Sequence, residues 1–110
     1  MKKSNGKRVV LVTCASLSEA RRIARSVVKA RLAACVNILR APVESVYRWK
    51  GAVETAREYL LLIKTTKKSL GALEDKVKKL HSHEVPEFIS LPIAEGSRTY
   101  LRWLGENVAG

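Results

Sequence analysis

Two short segments of the chain are apolar at every position rather than at every second one. Val9 to Val12 reads VVLV, and Tyr59 to Ile63 reads YLLLI. Runs of this length and composition predict β-strands, and a strand that is apolar on both sides belongs to a sheet that is covered on both faces. The rest of the fold must therefore supply two covering layers.

Extended and helical patterns alternate around these two strands. The first helix is expected to begin at Ser16, which has Glu19 at capping-box spacing, and to fade near Ala33. A second helix is expected over 69–80, and a third begins after Ser97. Strands are expected over residues 8–13, 35–39, 43–49, 53–66 and 87–94. This order, β-α-β-β-α-β plus a C-terminal helix, is that of the ferredoxin-like split βαβ fold, an α+β architecture with a four-stranded antiparallel sheet.

In that fold both main helices lie on one face, so the second face of the sheet lacks a helical layer. Strands that are apolar on both sides conflict with an exposed face, and large exposed apolar patches mark interaction surfaces. The C-terminal helix could cover part of this face, and further copies of the chain could cover the rest. The long hairpin 35–66 also offers strand edges to a neighbour. We expect a homo-oligomer.

The size and composition of the chain are typical of one globular domain. With 110 residues, of which 46% are hydrophobic and 28% charged, we expect a single domain over 8–110 behind a flexible basic tail, residues 1–7. No stretch approaches the roughly 18 apolar residues of a membrane span, and no signal peptide is recognisable. Cys14 and Cys35 lie outside any CxxC motif, which favours free thiols in a reducing compartment. We therefore expect a cytoplasmic protein without a membrane partner.

The net charge of +11 is concentrated at the start of the chain. Residues 1–31 carry nine Lys or Arg against one Glu, and Arg21, Arg25 and Lys29 form one stripe of the first helix. Such a stripe could attract nucleic acid or another polyanion, although a solvated helix face explains it more simply. RNA-recognition modules share this element order but need exposed aromatic residues on two central strands. Here only Tyr59 is available, which argues against nucleic acid.

The segment HSHEVPE, residues 81–87, holds two imidazoles and two carboxylates beside each other. His81 and His83 would share a face in an extended segment but would diverge on a helix. With Glu84 or Glu87, such a pair could hold Cu(II) or Zn(II), whereas a histidine at a helix C-terminus is also electrostatically favourable. Cys35 is a further candidate, as a soft ligand for Cu(I) or as a small buried residue.

Three charged residues stand inside otherwise apolar strands: Glu58, Lys64 and Glu87. Charges in strands are rarely buried unless they are paired. A pair of Lys64 with either glutamate would form a small-anion or metal pocket in a cleft between subunits, and ion pairs at strand ends are the alternative. We group Trp49, near the hairpin tip, with this pocket, although packing is its simplest role. Neither thiol has an assignable carboxylate for Cys/His catalysis, and residues 14–18 contain no Gly or Arg to bind phosphate, so we expect no catalysis.

Five motifs, in order and at consistent spacing, give the chain a specific resemblance. They are LAACVNI (32–38), SVYRWKG (45–51), EYLLLIKT (58–65), HSHEVPE followed by FISLPI (81–93), and YLRWL (100–104). Together they closely resemble the CutA divalent-cation-tolerance family over roughly residues 8–108. The resemblance implies a homotrimer of ferredoxin-like subunits that binds divalent metal, copper in particular, with no required cofactor and no established catalysis. The trimeric PII signalling proteins, which bind small ligands, are similar at the level of fold only.

The chain departs from the family in the segment that carries the two histidines. The family usually has Pro and Tyr at the positions of Ser82 and His83. The replacement removes an aromatic residue that would pack at the subunit boundary and adds a second candidate ligand. Cys35 matches the cysteine of the family's AAC motif. The predicted metal ligands are therefore His81, His83, Cys35 and Glu87, and the predicted intersubunit pocket contains Glu58, Lys64 and Trp49.

Overall fold

The structure of the chain, a computed structural model, describes residues 1–109. Seven strands are present: β1 (Lys2–Lys3), β2 (Lys7–Cys14), β3 (Cys35–Ile38), β4 (Val43–Trp49), β5 (Ala52–Thr66), β6 (Ile89–Pro92) and β7 (Glu95–Gly96). The helices are α1 (Leu17–Lys29), α2 (Leu70–Leu80) and α3 (Arg98–Glu106), and a 3₁₀ turn, Lys67–Ser69, leads into α2.

The main sheet is antiparallel and runs in the order β3-β5-β2-β6. Its two central strands form the longest ladder, from Lys7 opposite Thr66 to Cys14 opposite Tyr59. β4 continues along the same side of β5 beyond β3, so the long hairpin predicted for residues 35–66 is present. This arrangement confirms the ferredoxin-like α+β fold.

The main core lies between the sheet and the helices α1 and α2. Val10 and Val12 of β2 and Leu61 and Ile63 of β5 are fully buried there. The residues between them in sequence, such as Leu11 and Leu62, are only half-buried because they point to the other face. On that face Leu104 of α3 and Val108, just after the helix, pack with Ala34 in a second, smaller cluster. One helix thus covers only part of the second face.

Two element boundaries differ from the sequence-based expectation. α1 ends at Lys29 rather than near Ala33, because Arg31 adopts the left-handed conformation with φ of 60° and the Leu32 amide bonds back to the Val27 carbonyl. The last core strand spans only Ile89–Pro92 rather than 87–94, since its ladder with β2 covers these four residues. Glu87 therefore belongs to the loop before the strand.

The first residues of the chain have a defined backbone partner. β1 pairs with β7, with Lys2 opposite Gly96 and Lys3 opposite Glu95, and the Ser4 amide donates to the Ala94 carbonyl at 2.9 Å. The flexibility expected for residues 1–7 stays a prediction. Among residues 1–109 no helix combines the length and apolar character needed to cross a membrane.

Candidate functional site

A pocket of about 700 Å³ lies between the β4–β5 hairpin and the loop that follows α2. It is lined by Thr13, Ser45, Val46, Tyr47, Trp49, Glu58 and residues 82–87. The hairpin supplies the aromatic wall, and the loop supplies imidazole and carboxylate groups. The loop leaves α2 at His81, whose backbone is extended with φ of −82° and ψ of 141°, so His83 follows outside the helix.

The pocket unites residues that the sequence placed in two separate groups. Glu58 and Trp49, from the predicted intersubunit pocket, line it together with His83 and Glu87, from the predicted metal ligands. Glu58 is only 8% exposed. Within the described residues its carboxylate has no salt bridge and no hydrogen-bond partner; the salt bridge found there joins Lys78 to Glu74. The side chain is therefore largely enclosed at the pocket wall, and no cation among the described residues pairs with it.

The electrostatics of the pocket favour a positively charged occupant. The pKa of Glu87 is raised above its ordinary value of 4.5, first by loss of solvation and second by the negative charge of Glu58. The negative charge of Glu58 is therefore near enough to disfavour ionisation of Glu87. A cation placed between them would relieve this repulsion.

His81 has a different environment from His83 and serves the loop rather than the pocket. Its Nε2 lies 2.7 Å from the Thr13 carbonyl oxygen, and its Nδ1 accepts the backbone N–H of His83 at 3.0 Å. These two contacts together require the tautomer that carries its proton on Nε2. Both ring nitrogens are thus engaged, and a metal ion would have to displace one of these bonds. The ring centroids of His81 and His83 are 5.0 Å apart.

A buried cluster of potential ligands, not foreseen from the sequence, surrounds His81. One potential ligand atom of each of Cys14, Glu19 and His81 lies within 4.8 Å of the other two. Among the described residues, this is the group of three that comes close enough to hold a metal ion. The Glu19 carboxylate accepts from the backbone N–H of Ser82 at 2.6 Å and of Ala15 at 3.2 Å. Burial, followed by the charges of Glu19 and Glu58, raises the pKa of Cys14 to about 12. The Cys14 thiol is thus protonated, and the Glu19 carboxylate and the His81 ring already have hydrogen-bond partners. The cluster is therefore a structural network rather than an open metal site.

Glu19 illustrates why this network escaped sequence reasoning. Its spacing from Ser16 predicts a local capping box, and the Ser16 hydroxyl does accept the Glu19 amide at 3.1 Å. The carboxylate, however, reaches across to the loop after α2, 63 residues away in sequence. Loss of solvation alone would raise the pKa of Glu19, but the hydrogen bonds from Ser82 and Ala15 and the nearby His81 outweigh it and lower the pKa. The sequence did hold one signal that the Glu19 side chain is buried: Glu19 lies one turn before Ile23, on the apolar face of α1.

Cys35 and Lys64 lie together, away from the pocket. They are direct partners in the β3–β5 ladder, and the Lys64 ammonium lies 3.9 Å from the Cys35 sulfur and donates to the Asn37 side chain. Tyr100 of α3 completes this cluster; burial and then the neighbouring Cys35 thiol raise its pKa. Lys64 therefore pairs with neither Glu58 nor Glu87 within the described residues.

Comparison with known proteins agrees with these motifs and this fold. A family model described as CutA1 divalent ion tolerance protein matches residues 8–107. A divalent-cation tolerance protein CutA of Thermus thermophilus is 52% identical over 99 residues, which cover 90% of this chain and 95% of that protein. Human protein CutA is 45% identical over 93 residues, but the match spans only 51% of its length, and a Xenopus laevis homolog is matched over 64% of its length.

Solved structures show the same likeness in three dimensions. The divalent cation tolerance protein of Thermus thermophilus superposes with a TM-score of 0.91 at 50% identity, over 94% of this chain and 99% of that one. CutA1 from Oryza sativa gives a TM-score of 0.91 at 43% identity, over 96% of each chain. The family match covers nearly all of the chain and accords with the fold and with all five sequence motifs. The chain belongs to the CutA1 divalent ion tolerance family.

Proposed function

We propose that this protein binds a divalent metal ion, copper in particular, in the pocket lined by Glu58, His83 and Glu87. One observation carries the proposal: Glu58, a residue only 8% exposed, forms no salt bridge among residues 1–109, and its negative charge adds to the raised pKa of Glu87. A divalent cation would neutralise both carboxylates at once. The names of the relatives, which refer to divalent-cation tolerance, support the same ligand class.

The chemistry of the pocket suits a borderline metal ion. Two carboxylates and one imidazole make up the mixed nitrogen and oxygen set that Cu(II) accepts, and affinity for such a set is highest for copper among the common divalent first-row metals. The ligand atoms of these three side chains do not all lie within 4.8 Å of one another, so the side chains would have to converge on the ion. His83 supplies the imidazole in this proposal, since His81 uses both ring nitrogens and holds the His83 backbone in place. Cys35 lies elsewhere and is not a ligand of this ion.

Binding should weaken as the pH falls. A metal ligand must be deprotonated, and the raised pKa of Glu87 means that protons compete with the ion at a higher pH than for an ordinary glutamate. Loss of affinity should therefore begin above pH 4.5, the ordinary value for glutamate.

We further infer that the protein acts as a homotrimer. Exposed apolar side chains support this assembly: Val46 and Val53 on the hairpin are 67% and 66% exposed, and Ile89 and Leu91 of β6 are about half exposed. Patches of this kind are usually interaction surfaces. The pocket wall formed by the hairpin lies beside this surface, so a neighbouring subunit would border the metal site.

We also propose that the protein has no catalytic activity and resides in the cytoplasm. The protonated Cys14 thiol and the doubly bonded His81 ring support the first statement, since nucleophilic catalysis needs a thiolate and a free imidazole nitrogen. The two cysteines, both free, support the second.

The test is native mass spectrometry of the metal-free protein before and after addition of a slight excess of Cu(II). We expect a trimer that gains three copper ions. The double variant Glu58→Gln/His83→Ala should lose this gain, whereas Glu44→Gln, which removes a carboxylate of the same hairpin outside the pocket, should retain it. Copper uptake that is unchanged in the double variant would contradict this site. A trimer without copper uptake would contradict the function.

A further inference from the structure

A second pocket, of about 160 Å³, lies where β1 meets α3 and has the opposite charge preference. Five of its lining residues are cationic: Lys2, Lys3, Lys7, Arg98 and Arg102. Asn5 and Leu101 complete the lining, which contains no acidic residue. The pocket shares no residue with the one proposed for the metal ion, so it is an independent candidate site.

The fold brings these cations together from opposite ends of the sequence. The pairing of β1 with β7 places the N-terminal strand next to the start of α3, because β7 ends at Gly96 and Ser97 caps the helix. The hydrogen bond from the Ser4 amide to the Ala94 carbonyl extends this pairing. The pocket therefore exists only while the first strand is docked on β7.

Lys7 is the partly buried cation of the pocket, and the other four lie at its exposed rim. The side chain of Lys7 crosses α3 at Gly105: its ammonium and the adjacent carbon lie 3.4 Å from the position that a Cβ at Gly105 would occupy. The same ammonium lies 3.4 Å from the Asn5 carbonyl oxygen. Arg98 and Arg102 are one turn apart on the same face of α3, where like charges repel each other.

None of the five cations forms a salt bridge within the described residues. The salt bridge found in residues 1–109 joins Glu74 to Lys78 and involves none of these side chains. Glu95 is the ladder partner of Lys3, but it does not line the pocket. The N-terminal end of α3, a helix of nine residues, adds a positive electrostatic contribution. Five converging cations with no carboxylate among them leave a place for an anion.

We propose that this pocket binds a phosphate-type oxyanion, either free or as the terminal phosphate of a small metabolite. The planar forks of Arg98 and Arg102 match the spacing of phosphate oxygens, and the lysines add point charges. At roughly 30 Å³ for each water-sized group, the pocket has room for about five such groups, the size of one phosphate ion. A nucleic-acid strand would instead require an extended basic groove.

The experiment is isothermal titration of the metal-free, full-length protein with inorganic phosphate, pyrophosphate and adenosine monophosphate in chloride buffer of constant ionic strength. Arg98→Gln/Arg102→Gln should weaken binding by about tenfold or more, since two charge-assisted contacts are lost. Arg98→Lys/Arg102→Lys keeps the charge but not the planar fork, so its affinity for phosphate should lie between that of the wild type and that of the glutamine variant. Arg21→Gln/Arg25→Gln removes the same charge from the exposed face of α1 and should change the affinity less than about twofold.

Lys2→Gln/Lys3→Gln provides a second variant that leaves α3 intact, and thermal unfolding of each variant verifies its fold. Adenosine monophosphate that binds at least as well as inorganic phosphate would identify a terminal phosphate as the ligand; weaker binding would identify the free ion. No heat from any phosphate compound, or an equal loss in the α1 and α3 variants, would overturn the proposal. Binding of an oligouridylate without binding of phosphate or pyrophosphate would also overturn it, in favour of nucleic acid.

Discussion

Glu19 is the side chain that connects the most distant parts of the candidate site. Its two carboxylate oxygens accept hydrogen bonds from the backbone amides of Ala15, just after β2, and of Ser82, after α2. His81 makes a parallel connection, from the loop after α2 to the Thr13 carbonyl. Together with the bond from the His83 amide to His81, these bonds hold the backbone from which the His83 side chain extends. The geometry of the pocket therefore depends on a carboxylate that does not line it.

Glu19→Gln should destabilise the protein by about 1–3 kcal/mol at pH 7, because the amide can accept fewer hydrogen bonds in a buried site. The lowered pKa of Glu19 means that its stabilising contribution is fully present above the ordinary value of 4.5 and is lost as the pH falls through the lowered pKa. The difference in free energy of unfolding between Glu19→Gln and the wild type should therefore become smaller below pH 4.5. Urea unfolding at a fixed protein concentration and several pH values measures this; a constant difference would contradict it.

Cys14 should resist thiol reagents in the folded protein. It has no exposed surface, and its pKa is raised to about 12, so the reactive thiolate is scarce at pH 8. The measurement uses a Cys35→Ala variant, in which Cys14 is the remaining thiol, and follows its reaction with 5,5′-dithiobis(2-nitrobenzoate). The same variant in guanidinium chloride provides the control, with full reaction expected. Rapid labelling of the folded protein would show that the thiol is accessible.

At the level of elements, the pattern of apolar residues was sufficient to predict the sheet and its helices. The VVLV and YLLLI runs became the two central strands, and Ser16 and Ser97 cap α1 and α3. The end of α1 could not be predicted in this way, because residues 30–33 are good helix formers. Hydrogen bonds to β5 decide it: the Ala34 amide donates to the Lys64 carbonyl, and the Thr65 hydroxyl donates to the Leu32 carbonyl.

The candidate site was predictable in composition but not in grouping. HSHEVPE, Glu58 and Trp49 all stand out from the sequence by residue type, and all of them except His81 line one pocket. Their association depends on the β4–β5 hairpin lying next to the loop after α2, which is a long-range contact without local signal. For the same reason Lys64, which sequence analysis paired with the glutamates, proved to be the neighbour of Cys35. The link from Glu19 to Ser82 is also long-range, and the local capping-box pattern concealed it.

The left-handed residue after α1 permits a direct measurement of backbone strain. Arg31→Gly and Arg31→Ala both remove the hydrogen bond from the guanidinium to the Glu106 carbonyl, but only glycine adopts a φ of 60° without steric cost. We expect the glycine variant to be more stable than the alanine variant by about 1 kcal/mol in urea unfolding. Equal stabilities would indicate that the segment relaxes to another conformation.

On the scale of the whole molecule, assembly should depend on the apolar face of the hairpin. Val46 and Val53 lie on the same face of the β4–β5 ladder, since Val53 is the direct partner of Arg48, two residues from Val46. Val46→Lys/Val53→Lys should shift the mass measured by light scattering from that of the proposed trimer towards that of a monomer. Lys68→Gln/Lys79→Gln, changes at exposed positions outside the hairpin, should leave the mass unchanged. A trimer in both variants would show that this face does not mediate assembly.

β5 is shared by three ladders, and this has a consequence for which length changes the chain tolerates. Residues 52–58 pair with β4, whereas 59–66 pair with β2 and in part with β3. A single-residue insertion between Arg57 and Glu58 would reverse the facing of all side chains of β5 on one side of the insertion. It would turn either Leu61 and Ile63 out of the core or the hairpin, with its aromatic pocket wall, away from the pocket. An insertion at the Lys50–Gly51 turn displaces no pairing. Homologous chains should therefore vary in length at the hairpin tip and keep a constant length through the middle of β5.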